Sequence, residues 1–215
     1  MKVLIACEYS GAVRDAFIKQ GHDAMSCDLL PTDVSGPHYQ GSVTDILNDG
    51  WDLMIAHPPC TYLAVSGNRW LYNKDGSKNE ERWANRKEAL DFVRLLMDAP
   101  IKRIAVENPV SVISSEIRKP DQIIQPWQFG DEAQKTTCLW LKNLPKLKPT
   151  KIVGKGEMVT YKSGNTMPKW YADAFKLPKA ERQKLRSKTF QGIADAMAEQ
   201  WGRKLCPLHQ QLELV

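Results

Sequence analysis

The chain of 215 residues is long enough for one large α/β domain with a small appendage, and its 42% hydrophobic and 26% charged residues exclude wholesale disorder. No apolar run reaches the ~18 residues of a membrane span, and the N-terminal run 1–6 is short and met at once by Glu8, so it reads as a buried strand rather than a signal peptide. The net charge is +5, and the five widely spaced cysteines contain no C-x-x-C, which argues against a zinc ribbon or a disulfide framework and for the reducing cytosol.

Residues 2–7 are rich in Val, Leu and Ile and predict a strand. The turn Tyr9-Ser10-Gly11 leads into a helical pattern over 12–20, with Val13, Ala16 and Phe17 on one face and Gly21 as its cap. Residues 23–27 predict a second strand that ends at Asp28. Residues 51–57 are another apolar strand, running straight into Pro58-Pro59-Cys60. A long helix is predicted over 81–97, and a buried strand over 103–106 ends in Glu107-Asn108-Pro109. After residue 120 the pattern changes: a strand is expected at 137–141, residues 150–175 are irregular with Gly154, Gly156, Gly164 and Pro168 as breakers, and 180–204 reads as helix.

Strands that alternate with helices predict a mostly parallel sheet with right-handed crossovers and helices on both faces. In such sheets ligands bind beyond the carboxyl ends of the strands. Glu8 to Gly11, Asp28, Cys60 and Glu107 all fall at such ends. A thiol fixed behind two prolines suits a nucleophile, and an acid at the end of a neighbouring strand can share a proton with the same pocket. Taken singly, each piece is equally compatible with a loop cysteine and a strand-end cap.

Taken together and in order, these motifs resemble the DNA cytosine-C5 methyltransferase family: the strand and turn Leu4 to Gly11, the acid Asp28, the loop Pro59-Cys60, and Glu107-Asn108 one strand later. The loop Tyr62-Leu63-Ala64-Val65-Ser66-Gly67 is similar to the family's loop that closes over DNA. The resemblance implies a Rossmann-like class I methyltransferase fold, S-adenosyl-L-methionine as cofactor and DNA as partner. It implies that Cys60 adds to C6 of a flipped cytosine, that Glu107 protonates or hydrogen-bonds N3, and that Asn108 holds Glu107 or the loop. Glu8, Tyr9, Ser10, Gly11, Asp28, Asp45 and Pro58 then fall in the cofactor pocket, and Pro59, Thr61, Ser66, Lys135 and Thr137 at the substrate; no metal is implied.

The chain also departs from that pattern. Ser10 replaces the first glycine of the cofactor turn, Glu8 an aromatic residue, Ser42 the adenine-binding aspartate, and Thr61 the glutamine after the nucleophile. Gln134-Lys135-Thr136-Thr137-Cys138 stands where the family carries two arginines, and Lys135 lacks their bidentate geometry. Phe190 to Met197 is similar to the final family motif. The boundaries expected are a catalytic core over 1–150, a basic recognition segment over 151–188, a returning helix over 189–205 and a tail over 206–215. From 135 to 204 there are about 16 Lys/Arg against about 5 Asp/Glu, which fits a polyanion partner or a solvated lysine-rich surface. Trp170, Tyr171 and Phe175 within the basic stretch fit nucleic-acid stacking or an appendage core. The tail Gln211 to Val215 resembles the peptide that docks on the bacterial sliding clamp, or is a frayed end. Three functions remain open: a DNA cytosine methyltransferase, the same chemistry on RNA or a free pyrimidine nucleotide, and a non-catalytic nucleic-acid-binding protein of this fold.

Overall fold

A computed structural model describes residues 1–203; the clamp-like tail lies outside the described residues. The N-terminal half alternates as expected: β1 (Lys2–Ala6), α1 (Ala12–Lys19), β2 (Asp23–Asp28), β3 (His38–Gln40), β4 (Leu53–Ala56), α2 (Glu80–Asp98) and β5 (Arg103–Asn108). A short α3 (Ile113–Glu116), β6 (Gln122–Ile124) and β7 (Thr137–Lys142) complete the sheet. There follow a hairpin of β8 (Met158–Thr160) and β9 (Thr166–Pro168), then α4 (Lys169–Ala174), α5 (Lys179–Ser187) and α6 (Gln191–Gly202).

The large sheet has the order β3-β2-β1-β4-β5-β7-β6. The first five strands in that row are parallel, and β7 runs antiparallel to both neighbours. This seven-strand order, with one reversed strand inserted before the edge, is a Rossmann-like α/β arrangement, as the sequence predicts. The central strands β1 and β4 are almost wholly apolar because both faces are covered. In β1, Val3 and Ile5 pack with α1 and α6, while Leu4 and Ala6 pack with α2 on the other side. The direction of the crossovers reverses between β1 and β4, and this opens a crevice at the carboxyl ends of the two strands.

Three differences from the sequence reading have physical causes. The strand over 103–106 continues through Asn108, because β7 supplies an antiparallel ladder in which Asn108 faces Cys138. The helix expected over 180–204 is two helices, since Lys188 and Phe190 are extended and Phe190 packs edge-on against Trp170. The stretch 150–175 carries the β8–β9 hairpin and α4 in addition to irregular chain. No helix among the described residues is long and apolar enough to cross a membrane.

Candidate active site

At the end of β4 the chain passes through His57 and the two prolines to Cys60. Pro58 is buried, while Pro59 and Cys60 are exposed. The loop is fixed from β5. Asn108, only 1% exposed, donates from Nδ2 to the Pro58 carbonyl at 2.9 Å. One residue earlier, Glu107 Oε2 lies 3.1 Å from His57 Nδ1, with the two side chains 15% and 11% exposed. His57 Nε2 and Asn108 Oδ1 are buried without a hydrogen-bond partner among the described residues.

Electrostatics couples these groups. Burial acts to raise the Glu107 pKa, but the hydrogen bond from His57 and the charge of Lys135 outweigh it and hold the carboxyl below its ordinary value. Solvent reaches Cys60, yet the protein around its sulfur desolvates the thiolate. This and the Glu107 charge push the thiol above its ordinary value against the pull of Lys135, a backbone hydrogen bond and Arg186. The resting pair is therefore a carboxylate and a protonated thiol.

The chain after Cys60 turns at once, with Leu63 N and Ala64 N donating to the Cys60 carbonyl, and enters a 3-10 segment over Val65–Leu71 whose second residue is exposed Ser66. Arginines of α2 pin it down. Arg86 donates from Nε to the Tyr62 carbonyl at 3.0 Å and from Nη2 to Asn68 Oδ1 at 2.7 Å. Arg82 reaches the Thr61 carbonyl at 3.3 Å. On the far side, Lys135 donates through Nζ to the Lys188 carbonyl at 3.2 Å, linking the site to the end of α5. Thr137 is 3% exposed and its hydroxyl turns to the Lys135 carbonyl, so it stands behind the site rather than in it.

The second cluster lies at the ends of β1 and β2. Gly11 adopts φ 74°, a conformation that strains any other residue, and starts α1. Glu8 is 4% exposed and its carboxylate is taken by the helix start: Oε1 accepts from Val13 N at 2.8 Å and Ser10 Oγ at 3.2 Å, and Oε2 from Arg14 N at 3.2 Å. The acid thus caps α1 from the strand instead of standing free in the crevice. Cys7, just before it, has φ 59°, and burial with the nearby Asp28 charge raises its thiol to about 12. Asp28 spends Oδ1 on Leu30 N at 2.9 Å, and Oδ2 is uncommitted among the described residues. Exposed Leu29 and Leu30 follow it. Asp45 is also exposed and accepts from Tyr39 Oη at 3.0 Å, while Ser42 caps the 3-10 turn that holds it.

Arg14 organises the wall of this cluster. It is fully buried and donates to Ser26 Oγ, Thr32 Oγ1 and the carbonyls of Val34 and Ser35 at 3.2–3.3 Å. A Cβ at Gly36 would stand 2.6 Å from its Cζ, and one at Gly11 the same distance from its Nη2. The appendage crosses the mouth: Tyr9 Oη lies 2.8 Å from Ser187 Oγ, and Lys184 of α5 pairs with Asp33. Within the appendage Trp170 is half-buried, stacks edge-on with Tyr171 and Phe190, and donates to the Gln134 carbonyl at 3.2 Å. Phe175 is 49% exposed beneath the guanidinium groups of Arg182 and Arg186.

The fold thus brings Cys60, Glu107, Asn108 and Lys135 to one place, with Glu8 to Gly11 and Asp28 in the neighbouring crevice. His57 escaped the sequence reading. Its position at a strand end, just before the two prolines, was the available signal. Arg14 carried none, since on a helical wheel it belongs to the polar face.

No protein-family model matches the chain, and no curated protein matches it. Among solved structures it is similar to a protein encoded within an E. coli prophage and provisionally named a DNA modification methyltransferase, at 17% identity and a TM-score of 0.48. The match covers 71% of this chain and 51% of the other, so the chain spans about half the length of that protein.

Proposed function

We propose that the chain transfers a methyl group from S-adenosylmethionine to C5 of cytosine in DNA, with Cys60 as nucleophile. The observation that carries this reading is the meeting of Cys60 and Glu107 at the carboxyl ends of adjacent strands, one crevice away from a glycine turn and a strand-end acid. The residues present fit the cofactor: Asp28 Oδ2 is available to ribose hydroxyls, and Leu29 offers an apolar surface to a purine. When bound there, the cofactor supplies an electrophilic methyl group.

The protein side of the chemistry follows from the protonation states. Cys60 holds a proton that it must lose to attack C6, and Glu107 is an anion that must gain one to donate to N3. One proton moving from the thiol through Glu107 to the ring satisfies both, and avoids building a second charge beside the first. His57 holds Glu107 in place and stabilises it as an anion before and after the transfer. Asn108 fixes the backbone of the nucleophile loop through Pro58, and Lys135 offsets the negative charge shared between thiolate and carboxylate. The C5 proton then passes to water, the C6–S bond breaks, and the N3 proton returns through Glu107 to the departing Cys60 thiolate, which restores the starting protonation states.

The test is transfer of labelled methyl to duplex DNA, single-stranded DNA, RNA and dCMP in parallel, with Cys60→Ser beside the wild type. Label on DNA cytosine that disappears in Cys60→Ser is the expected result. Label on RNA or dCMP alone would move the same chemistry to another substrate. No label anywhere, together with no cofactor binding by calorimetry, would leave a non-catalytic protein of this fold.

A further inference from the structure

An open cleft of about 1090 Å³ adjoins Cys60 through Thr61 and Tyr62. One wall is the segment after the nucleophile and the start of α2; the other is α5. Six cations line it: Arg69, Lys74 and Arg82 on the first wall, and Lys179, Arg182 and Arg186 on the second, against the single acid Glu81. None of the six joins an ion pair among the described residues, although Lys87, Lys169, Lys176 and Lys184 elsewhere on the surface all do. A row of unpaired cations facing one another across a cleft repels itself unless a polyanion lies between.

The same walls carry aromatic rings. Trp70 and Tyr72 are 55% and 50% exposed, an open state for such large apolar groups, and Tyr62 lines the cleft beside them. Arg69 lies 4.6 Å from the Trp70 ring and Arg82 5.2 Å from that of Tyr62, so cation and ring alternate along the wall. A base pair inside a duplex hides its faces in the stack and shows a protein only groove edges and phosphates. Rings interleaved with cations match a chain whose bases are free to stack while its phosphates meet the charges. The roof of the cleft is also low beside the nucleophile: α5 is tied down at Tyr9, Asp33 and Lys135, and the charge of Arg186 reaches Cys60.

We infer that this cleft is a binding track for one unpaired strand of DNA, leading a cytosine past Tyr62 to Cys60. The inference rests on the proposed function for the identity of the nucleic acid, and it makes the preferred substrate single-stranded. An unpaired strand presents its base to Cys60 without the unstacking that a duplex requires.

Binding is measured apart from chemistry, by fluorescence anisotropy with the cofactor omitted. The probes are a labelled 16-nucleotide DNA strand, the same strand annealed to its complement, and the RNA of the same sequence. The expected result is at least tenfold tighter binding of the single DNA strand than of the duplex. The double variant Trp70→Ala, Tyr72→Ala should weaken the single strand by about tenfold or more and leave the duplex unchanged. Because both rings are exposed, that variant should melt with the wild type in circular dichroism. Arg182→Gln with Arg186→Gln should weaken the single strand and flatten its salt dependence by roughly 0.7 per lost phosphate contact. Equal or tighter binding of the duplex, tighter binding of the RNA, or indifference to the loss of both rings would overturn the inference. Tight single-strand binding without any methyl transfer would leave the track standing and sink the enzymatic reading; transfer to duplex DNA without single-strand preference would do the reverse.

Discussion

Replacing Glu8 with alanine separates a cofactor-binding acid from a helix-capping one. The carboxylate accepts from Val13 N and Arg14 N, two of the donors that α1 cannot satisfy internally, in a place that is 4% exposed. Truncation leaves both N–H groups buried without an acceptor, at about 1–3 kcal/mol each, or roughly 3 kcal/mol together once some water enters. For a domain of this size, each kcal/mol moves the melting temperature by roughly 2–4 °C, so Glu8→Ala should melt about 6–12 °C below the wild type. Glu8→Gln keeps one acceptor oxygen and should lose roughly half as much. Thermal unfolding followed by circular dichroism, with calorimetry of S-adenosylmethionine binding on the same samples, reads both quantities. A Glu8→Ala protein that melts with the wild type but no longer binds the cofactor would refute the capping account and return Glu8 to the pocket.

The opposing charges on Cys60 predict the order of its alkylation rates by iodoacetamide at pH 8: Glu107→Gln faster than wild type, and Lys135→Met slower, as followed by mass spectrometry of the Cys60 peptide. A faster Lys135→Met would contradict the assignment. Folding lowers the Glu107 pKa, so the native state takes up its proton later than the unfolded chain does. The stability this residue lends is full above its ordinary value of 4.5 and is lost as the pH falls through the lowered native value. Urea unfolding should therefore show wild type losing more stability than Glu107→Gln on acidification below about pH 4.5, and parallel losses would argue against the His57 pairing. Asn108→Asp swaps the donor facing the Pro58 carbonyl for an acceptor and should destabilise by about 2 kcal/mol or more. It should slow methyl transfer while leaving cofactor affinity intact; a weakened cofactor with normal transfer would count against a loop-bracing role.

Much of this arrangement was legible in the sequence because it is local. A parallel strand covered on both faces must be an unbroken apolar run, and residues 3–6 of β1, the whole of β4 and residues 104–106 of β5 are such runs. The ends of those runs located Cys60 and Glu107, and the end of the second strand located Asp28. What escaped depends on partners distant in the chain. Extension of β5 through Asn108 needs the ladder from β7, some thirty residues later. The His57–Glu107 pair joins residues 50 positions apart. The break between α5 and α6 is set by Phe190 meeting Trp170, a contact no periodicity encodes. Glu8 reads as a pocket acid from its place after a strand, and only the path of the turn shows it bending into the helix start.

Arg14, Gly11 and Gly36 behave as a single unit of inheritance. The guanidinium fills the space that a side chain on either glycine would need, and it holds the carbonyls of Val34 and Ser35, sharing the first with the Thr32 hydroxyl. Exchange of the arginine for a smaller residue would relieve that contact at both positions, yet Gly11 would stay strained by its φ of 74° and by Val34 Cγ2, which a Cβ there would meet at 2.6 Å. The dependence therefore runs one way: the arginine needs both glycines, while the glycines are also demanded by their own backbone, and a library that varies the three one at a time will find almost nothing but losses.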